Sequence, residues 1–286
     1  MAAAVAVAGQ GRFSVRSVAA ALRLSRSALV AARKRTSVPS RARTGTPPDL
    51  VERVRVFVSQ RPTYGYRRVT ALLNRERPAS RVNHKRIYRV MREQSWLLPR
   101  HTGRPTRPHD GKVITLRSNT RWCSDGFEIR CWSGERVHVL FAMDCCDREV
   151  VGFRASALHP TSETVQDLMA EAIETRFGAG VIEVPAPLQW LSDNGPPYTA
   201  HATREFGARC GLQVVTTPSY SPESNGAAES FVKTFKRDYV YLARLHDAAS
   251  VLEQLAGWFD DYNERHPHRG LSMLSPREFR RRQQAA

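Results

Sequence analysis

Two aspartates in this chain stand at positions where a folded protein could use a carboxylate for chemistry. Asp125 lies inside a strand-like run, a setting in which aspartate is unfavourable unless something requires it. Asp193 directly follows an apolar run, and Asn194-Gly195 then turns the chain away. Active sites of α/β sheets gather at strand ends, so both carboxylates are candidates. The plain alternatives are a water-facing strand residue for Asp125 and an ordinary turn residue for Asp193.

A third carboxylate, Glu229, follows a rigid Pro-containing stretch and a turn and lies near the start of a helix. Lys233 and Lys236 fall on the same side of this helix as Glu229. The other side carries aromatic and apolar residues: Phe231, Val232, Phe235 and Tyr239. The helix is therefore predicted to bury an aromatic face and to present one carboxylate with two lysines. The plain alternative is a surface Glu–Lys pair one helical turn apart, which is common.

Three carboxylates in one site repel one another unless a cation neutralises them, and hard oxygen ligands select Mg²⁺ or Mn²⁺. Two such ions ~3.5–4 Å apart activate a nucleophilic oxygen and stabilise the leaving oxygen in phosphoryl transfer. Lysines beside the third carboxylate would hold a phosphodiester backbone. The residues alone thus indicate a metal-dependent enzyme that acts on nucleic acid.

The elements that must position these carboxylates form an α/β pattern, because strand-like and helix-like runs alternate after residue 112. The predicted strands are Arg121–Ile129, Val137–Met143, Val150–Ser156, Leu188–Leu191 and Leu212–Thr216. The predicted helices between them are Thr161–Phe177 and Thr199–Cys210. This order predicts a mixed five-stranded sheet with flanking helices.

Charge is distributed very unevenly along the 286 residues. Residues 1–110 hold 24 Lys and Arg against 5 Asp and Glu, whereas residues 111–286 hold 20 against 22. The net charge of +17 therefore comes entirely from the first part. A small Arg-rich unit joined to a near-neutral one predicts a polyanion-binding module attached to a second activity.

Two stretches rich in Pro, Gly, Ser, Thr and Arg, residues 36–48 and 100–111, are predicted linkers. They divide the chain into three pieces. These are a candidate helix-turn-helix over 1–35, a basic helical DNA-binding domain over 49–99, and the α/β core with C-terminal helices over 112–286.

Both small pieces carry helix signals. The first predicts two short helices separated at Leu24-Ser25, with Ser25 capping the second. In the middle piece Asn83 is placed to cap a helix on which Lys85, Arg89 and Arg92 lie opposite an apolar face. Such a basic face suits phosphate or groove contact, and the plain alternative is an exposed helix with solvated charges.

Composition excludes several other classes of protein. No apolar run approaches the ~20 residues that span a bilayer, so we expect no membrane segment and an intracellular location. Five cysteines without a C-x-x-C pair argue against a disulfide scaffold and a structural zinc site.

Ordered motifs then converge on one family. They are Trp122-Cys-Ser-Asp125, Ser192-Asp193-Asn194-Gly195, and Pro218-x-x-Ser-Pro222-x-x-Asn225-Gly226-x-x-Glu229 followed by Lys236. They resemble the signature of DDE transposases of the retroviral-integrase superfamily. The 35 residues between Asp193 and Glu229 match the gap typical of that superfamily.

Two further motifs narrow the resemblance. Tyr262-Asn263-x-x-x-Pro267-His268-x-x-Leu271, followed by Ser275-Pro276, resembles the C-terminal motif of the catalytic OrfB subunit (InsD-like) of two-frame bacterial insertion sequences. Thr63-Tyr64-Gly65-Tyr66-Arg67-Arg68 resembles the helical DNA-binding region that precedes this core. Two positions depart from the family pattern, since His266 stands where Arg is common and Pro197 where a polar residue is common.

The resemblance implies a ribonuclease-H-like integrase core preceded by small all-α helix-turn-helix-type modules. Asp125, Asp193 and Glu229 would ligate Mg²⁺, with Mn²⁺ as a substitute and two ions expected. DNA would be bound by Lys236 and Lys233 near the scissile phosphate and by basic residues of the helical region: Lys85, Arg89, Arg92, Arg67 and Arg68. The implied reaction is strand cleavage at an element end and transfer of the freed 3′-OH, without a covalent protein–DNA link.

The implied partners are DNA, as terminal repeats and as target, and further copies of the chain in a synaptic complex. An upstream OrfA product is another candidate, as a fusion or a partner. Two alternatives stay open at this point. One is a catalytically inactive DNA-binding remnant or regulator of the same family, and the other is a ribonuclease-H-like nuclease that acts on RNA.

Overall fold

A computed structural model describes residues 13–30, 47–99, 115–217 and 225–285 of the chain. The chain divides into two compact units, residues 1–50 and 51–286. No helix within the described ranges is long and apolar enough to cross a bilayer. Most of the predicted linker 36–48 and all of the linker 100–111 lie outside these ranges, so the division drawn from them stays a prediction.

The first unit contains helix α1 (Val15–Ala21) and a second helical stretch at residues 26–30. The Ser25 hydroxyl accepts a hydrogen bond from the N–H of Ala28 at 3.1 Å, as expected for a cap. Leu29 is buried in a small apolar cluster with residues of α1. Both predicted helices are confirmed over the described residues, and DNA contact by this unit stays a prediction.

The second unit begins with three helices, α2 (Pro48–Gln60), α3 (Tyr66–Glu76) and α4 (His84–Glu93). Each buries one apolar side, and the buried side chains are Val54, Val69, Leu73, Ile87, Val90 and Met91. The predicted cap of α4 is confirmed, because the Asn83 side chain accepts from the N–H of Lys85 at 2.9 Å.

A mixed five-stranded sheet forms the centre of this unit, and all five predicted strands are present. They are β1 (Arg121–Arg130), β2 (Arg136–Asp144), β3 (Val150–Ser156), β4 (Leu188–Ser192) and β5 (Leu212–Thr216). The strand order is β3-β2-β1-β4-β5. β1, β2 and β3 pair antiparallel, whereas β4 is parallel to both β1 and β5.

Helices flank this sheet on both sides. They are α5 (Ser162–Phe177), α6 (Pro196–Thr199), α7 (His201–Arg209), α8 (Gly226–Asp238), α9 (Ala248–Arg265) and α10 (Pro276–Gln284). The predicted helix Thr199–Cys210 is wrong at its start. Thr199 ends α6, the backbone of Ala200 is extended, and α7 begins at His201. Pro196 and Pro197 fix φ at the start of the short helix α6, and the extended backbone of Ala200 then separates α6 from α7.

Alternation along β1 divides the core between the two sides of the sheet. On one side Cys123, Phe127 and Ile129 pack with Phe231 and Phe235 of α8. On the opposite side Trp122 packs with residues of α5 and with Trp190 of β4. Asp125 shares the alternation of Cys123 and Phe127, and this places it on the side of the sheet that α8 covers.

Truncation of Phe235 is expected to destabilise the second unit strongly. Its ring is fully buried against Phe127 and Phe259, at centroid distances of 5.7 and 4.6 Å. We expect Phe235→Ala to lower the free energy of unfolding by roughly 3–5 kcal/mol in a urea titration. Tyr241→Ala, at a position 72% exposed, is the control and should change it by less than about 0.5 kcal/mol. Equal losses in the two variants would contradict this account of the core.

Candidate active site

The sheet brings Asp125 and Asp193 to neighbouring positions. β1 and β4 are parallel, with Trp122 opposite Trp190 and Cys123 opposite Leu191. Continuing this register two residues further sets Asp125 beside Asp193. The side of β1 and the end of β4 thus supply two carboxylates at the same level of the sheet.

The turn after β4 holds the Asp193 side chain close to its own backbone. Its Oδ1 accepts a hydrogen bond from the N–H of Gly195 at 3.0 Å. A Cβ added at Gly195 would lie 3.1 Å from the same oxygen, so the carboxylate has space here because the residue is glycine. The Asn194 amide donates to the carbonyl of Thr217 at 2.9 Å, and this ties the turn to the end of β5.

Glu229 reaches the same region because α8 is anchored on β1. The amide of Asn225, at the helix start, donates to the carbonyl of Ser124 at 3.3 Å. Two residues beyond Glu229, on the opposite side of the helix, the ring of Phe231 packs at 4.5 Å from that of Phe141 on β2. Glu229 itself is exposed, with Lys233 Nζ at 3.5 Å from its Oε2. The predicted helix, its buried aromatic face and its Glu–Lys pair are therefore all present.

The three carboxylates interact electrostatically. Burial, together with the smaller effect of the nearby charges of Asp193 and Glu229, raises the pKa of Asp125 to about 6. A hydrogen bond from the N–H of Gly126 to Asp125 Oδ1, at 2.8 Å, opposes this shift only in part. Within the described ranges, no three His, Cys, Asp or Glu side chains converge at metal-ligand distance. The donor set is nevertheless oxygen only, which is the chemistry that Mg²⁺ and Mn²⁺ prefer.

Sequence analysis did not identify a buried tyrosine beside this cluster. The Tyr198 hydroxyl lies 2.9 Å from Ser124 Oγ, and both groups are buried. Burial raises the pKa of Tyr198, so the hydroxyl stays protonated. This contact fastens α6, which follows the Asp193 turn, to the strand that carries Asp125. The only sequence signal was an aromatic residue directly after two prolines, and no periodicity marks it as buried.

The lysines of α8 differ in their surroundings. Lys233 is exposed and pairs with Glu229. Lys236 is half-buried, and its Nζ lies 5.5 Å from the centre of the Phe127 ring on β1. Its ammonium therefore stays on the side of the sheet that carries the carboxylates.

The basic residues predicted on the helical region are exposed, with one exception. Lys85, Arg89 and Arg92 all face solvent on α4. Arg67 is exposed as well, and its guanidinium lies 5.5 Å from the Tyr66 ring. Arg68 faces the other way, towards the end of α8.

Arg68 forms an ion pair with Asp238 at the end of α8. Its Nη1 lies 3.1 Å from Asp238 Oδ2, and the Asp238 side chain is only 1% exposed. The Arg68 guanidinium is therefore engaged by a buried carboxylate, and its contact with DNA stays a prediction.

Two further contacts surround this pair and join the helical region to α9 and the segment after it. Tyr64 Oη is 2.9 Å from His266 Nδ1, and both side chains are buried. Arg61 donates to Asp261 on α9, with Nη1 to Oδ2 at 2.8 Å. His266, one of the two departures from the family pattern, thus has a structural role here. Burial holds its pKa well below the usual value, so the imidazole is neutral.

Asp144, the last residue of β2, is engaged in structural contacts. It is fully buried, its oxygens accept from the N–H groups of Asn119 and Cys146 at 2.6 and 2.7 Å, and Arg176 Nη2 lies 3.2 Å away. Its surroundings explain the residue without a ligand.

Comparison with known proteins agrees with this geometry. Two family profiles described as "Integrase core domain" match residues 116–222 and 210–276, and a profile described as "HTH-like domain" matches 49–104. Together with the mixed sheet, these matches show the predicted fold class, a ribonuclease-H-like integrase core preceded by HTH-like helices.

Among curated proteins, the chain is 45% identical over 275 residues to the transposase InsD for insertion element IS2D of Escherichia coli, covering 92% of this chain and 90% of the relative. Among solved structures, an integrase in a simian T-cell lymphotropic virus intasome aligns with 79% of this chain and 73% of its own, at 14% identity and a TM-score of 0.49. The catalytic core of BIV integrase aligns with 58% of this chain and 97% of its own, at 19% identity and a TM-score of 0.42.

Replacement of Asp125 by asparagine is expected to stabilise the metal-free chain at neutral pH. The pKa of an aspartate is near 3.9 in an unfolded chain, whereas burial raises that of Asp125 to about 6 in the fold. The folded wild type therefore holds the proton more tightly, and it loses stability relative to the variant as pH rises from about 4 to about 6. Urea titrations in EDTA should give Asp125→Asn an advantage of about 3 kcal/mol above pH 6, since each pKa unit corresponds to about 1.4 kcal/mol.

Glu128→Gln is the control for this pH series, because Glu128 is an exposed acid on the same strand. It should show no comparable gain. An Asp125→Asn advantage that shrinks as pH rises through this window would contradict the assigned pKa direction.

Removal of Arg68 is expected to destabilise the chain, whereas removal of its neighbour is not. Arg68→Ala leaves the buried Asp238 with one cation fewer, so we expect a loss of about 1–3 kcal/mol in unfolding free energy. Arg67→Ala removes an exposed arginine and should change it by less than about 0.5 kcal/mol. Thermal and urea unfolding of the two variants would decide, and equal behaviour would remove the assigned role of Arg68.

Proposed function

Because the chain belongs to the family of InsD transposases of insertion elements, we propose that it cleaves and joins DNA strands at insertion-sequence ends with Asp125, Asp193 and Glu229. The chain spans 90% of the E. coli relative, and the aligned 92% of this chain includes HTH-like and integrase regions. The reaction class proposed is polynucleotidyl transfer on DNA.

The observation that carries this proposal is the placement of three carboxylates at one side of β1, where the charges of Asp193 and Glu229 act on Asp125. Asp125 and Asp193 come from parallel neighbouring strands and Glu229 from the helix packed over them. Ion pairs do not account for them, because among the described residues the only ion-pair partner of Glu229 is the exposed Lys233, and Asp193 is itself exposed. Burial and, to a smaller extent, the charges of Asp193 and Glu229 raise the pKa of Asp125, and a cation would relieve the repulsion between these charges.

Asp125, Asp193 and Glu229 are the proposed ligands of Mg²⁺, with Mn²⁺ as a substitute and two ions as the expected number. Bound there, the metal would stabilise negative charge on the attacking and leaving oxygens of a phosphodiester. The oxygen-only donor set fits such a hard cation.

The chain's own residues then have separate tasks. Asp125 and Asp193 are held in register by the β1–β4 pairing, and Tyr198 fixes the turn that follows Asp193. Lys236, on the carboxylate side of the sheet, is proposed to bind the DNA backbone next to the scissile phosphate. A water oxygen attacks the phosphorus and gives its proton to solvent, while the 3′-oxygen leaves with the electron pair of the broken P–O bond and takes up a proton. The freed 3′-OH then attacks the phosphorus of a second phosphodiester and loses its proton. The bridging oxygen of that phosphodiester leaves with the electron pair of its P–O bond, and no protein–DNA bond forms.

DNA contact is also proposed for Lys233, which lies beside Glu229 on α8, and, outside the active site, for the exposed basic residues of the HTH-like helices: Lys85, Arg89, Arg92 and Arg67. All are exposed, and α4 presents three of them on one face. The proposed partners are terminal-repeat and target DNA, a second copy of the chain in a synaptic complex, and an OrfA product as a fusion or a partner. The proposed location is the bacterial cytoplasm, at the nucleoid.

Substitution of Asp193 is expected to abolish the reaction without abolishing DNA binding. Purified chain is incubated with duplex DNA carrying its own element's end and with Mg²⁺ or Mn²⁺, and strand products are resolved on denaturing gels. Asp193→Asn should reduce nicking and joining by about 10³-fold or more. Asp167→Asn, an exposed aspartate on α5, is the matched control and should react like the wild type.

The other outcomes are equally informative. Equal products from the wild type and Asp193→Asn would exclude the three-carboxylate mechanism. DNA binding without products, with and without an OrfA fusion, would favour an inactive DNA-binding regulator. Preferential cleavage of an RNA–DNA hybrid would favour a ribonuclease.

A further inference from the structure

A groove of about 790 Å³ lies between the HTH-like helices and the C-terminal segment. One wall comes from α3 and the start of α4, and the other from residues 272–274 and α10. Its charged lining consists of Arg67, Arg75, Arg81, Glu278 and Arg282. Four arginines against one glutamate leave the groove strongly positive. It is separate from the carboxylate site, since none of Asp125, Asp193 and Glu229 lines it.

Arg75 fixes the distance between the two walls. Its guanidinium pairs with Glu278 of α10 at 2.7 Å, and it also donates to the carbonyls of Arg265 and Met273 at 2.6 and 3.2 Å. Arg75 and Glu278 therefore neutralise one another while joining α3 to the C-terminal segment. The groove is held open by these contacts before any ligand arrives.

The remaining three arginines have no carboxylate partner within the described part of the chain. Arg67, Arg81 and Arg282 are all exposed, and no carboxylate oxygen there lies within ion-pair distance of them. Arg67 comes from α3, Arg81 precedes α4, and Arg282 comes from α10. Three elements thus direct uncompensated guanidinium groups to one groove. The nearby charge of Arg282 also contributes to lowering the pKa of Arg75, in addition to burial, as expected where positive charges crowd together.

We propose that this groove binds the phosphate backbone of duplex DNA, with Arg81 and Arg282 as phosphate contacts that extend the basic face of α4. Arginine is the side chain best suited to such contacts, because its planar guanidinium donates two parallel hydrogen bonds to phosphate oxygens. The proposal rests on the proposed DNA-directed function, and it adds the C-terminal helix to the DNA-binding surface.

Continuity with α4 favours DNA over a small anion. Asn83 and His84, at the start of α4, form part of the groove lining, and Lys85 follows directly. The Asn74 side chain braces this rim by donating to the carbonyl of Val82 at 3.0 Å and accepting from its N–H at 2.7 Å. A strand bound at Lys85 on α4 would therefore lie next to the rim of the groove.

The test measures duplex binding by the full chain as a function of salt. The probe is a fluorescently labelled duplex carrying the element end, beside a scrambled duplex of equal length. The Arg81→Ala, Arg282→Ala double variant should bind both duplexes roughly tenfold more weakly, and the slope of log affinity against log salt should fall by about 2. Arg130→Ala, Arg244→Ala removes the same charge at exposed positions outside the groove, and it should keep the wild-type slope.

Each outcome decides between the possibilities. Unchanged affinity and slope in the groove variant, with a cooperative unfolding transition like the wild type, would overturn the groove proposal and leave the transposase function intact. Equal losses in both double variants would also overturn it, since the effect would then be one of net charge. Binding of inorganic phosphate by calorimetry with no slope change on DNA would assign the groove to a small anion instead. Asp193→Asn, measured in parallel, should bind like the wild type, so a catalytic failure cannot be mistaken for a binding failure.

Discussion

Carboxylates that repel one another stay together only if the rest of the fold supplies the free energy that opposes their repulsion. Here that energy comes from the apolar packing on both sides of β1. Trp122 and Trp190 pack on one side of the sheet, and on the other side Phe127, Phe231 and Phe235 join β1 to α8. The parallel pairing with β4 then fixes Asp193 beside Asp125. The raised pKa of Asp125 reflects the part of the cost that the metal-free fold retains.

Helix α8 links this site to the HTH-like region. Its first turn carries Glu229, its buried side holds Phe231 and Phe235 against the sheet, and its last residue is Asp238. Asp238 receives Arg68 from α3, so one helix carries Glu229 near one end and contacts the HTH-like helices at the other. The two regions are therefore joined by a direct contact as well as by the chain connecting them.

Much of this arrangement could be predicted from the sequence because it depends on local patterns. Strand-like runs separated by turn residues identified the five strands. The turn after Asp193 and the amphipathic pattern of α8 identified candidate carboxylates. The start of α7 was missed because two prolines began a separate turn.

The inward direction of Arg68 was also missed, and so was the buried contact between Tyr198 and Ser124. A helical pattern shows which side of a helix is apolar, but it does not tell which of two adjacent arginines will meet another part of the protein. That information depends on long-range packing, which only the assembled structure contains.

The length of α8 carries a consequence for how such chains can diverge. Glu229 and Asp238 are nine residues apart on one continuous helix. Inserting or deleting a single residue between them would rotate one end relative to the other by about 100°. Either the carboxylate would leave the sheet edge, or Asp238 would turn away from Arg68. Substitutions that keep the buried side of α8 apolar are tolerable, whereas changes in the number of residues between Glu229 and Asp238 are not. Evolutionary variation in this helix should therefore be confined to residue identity, and changes of length should be found in the surrounding loops.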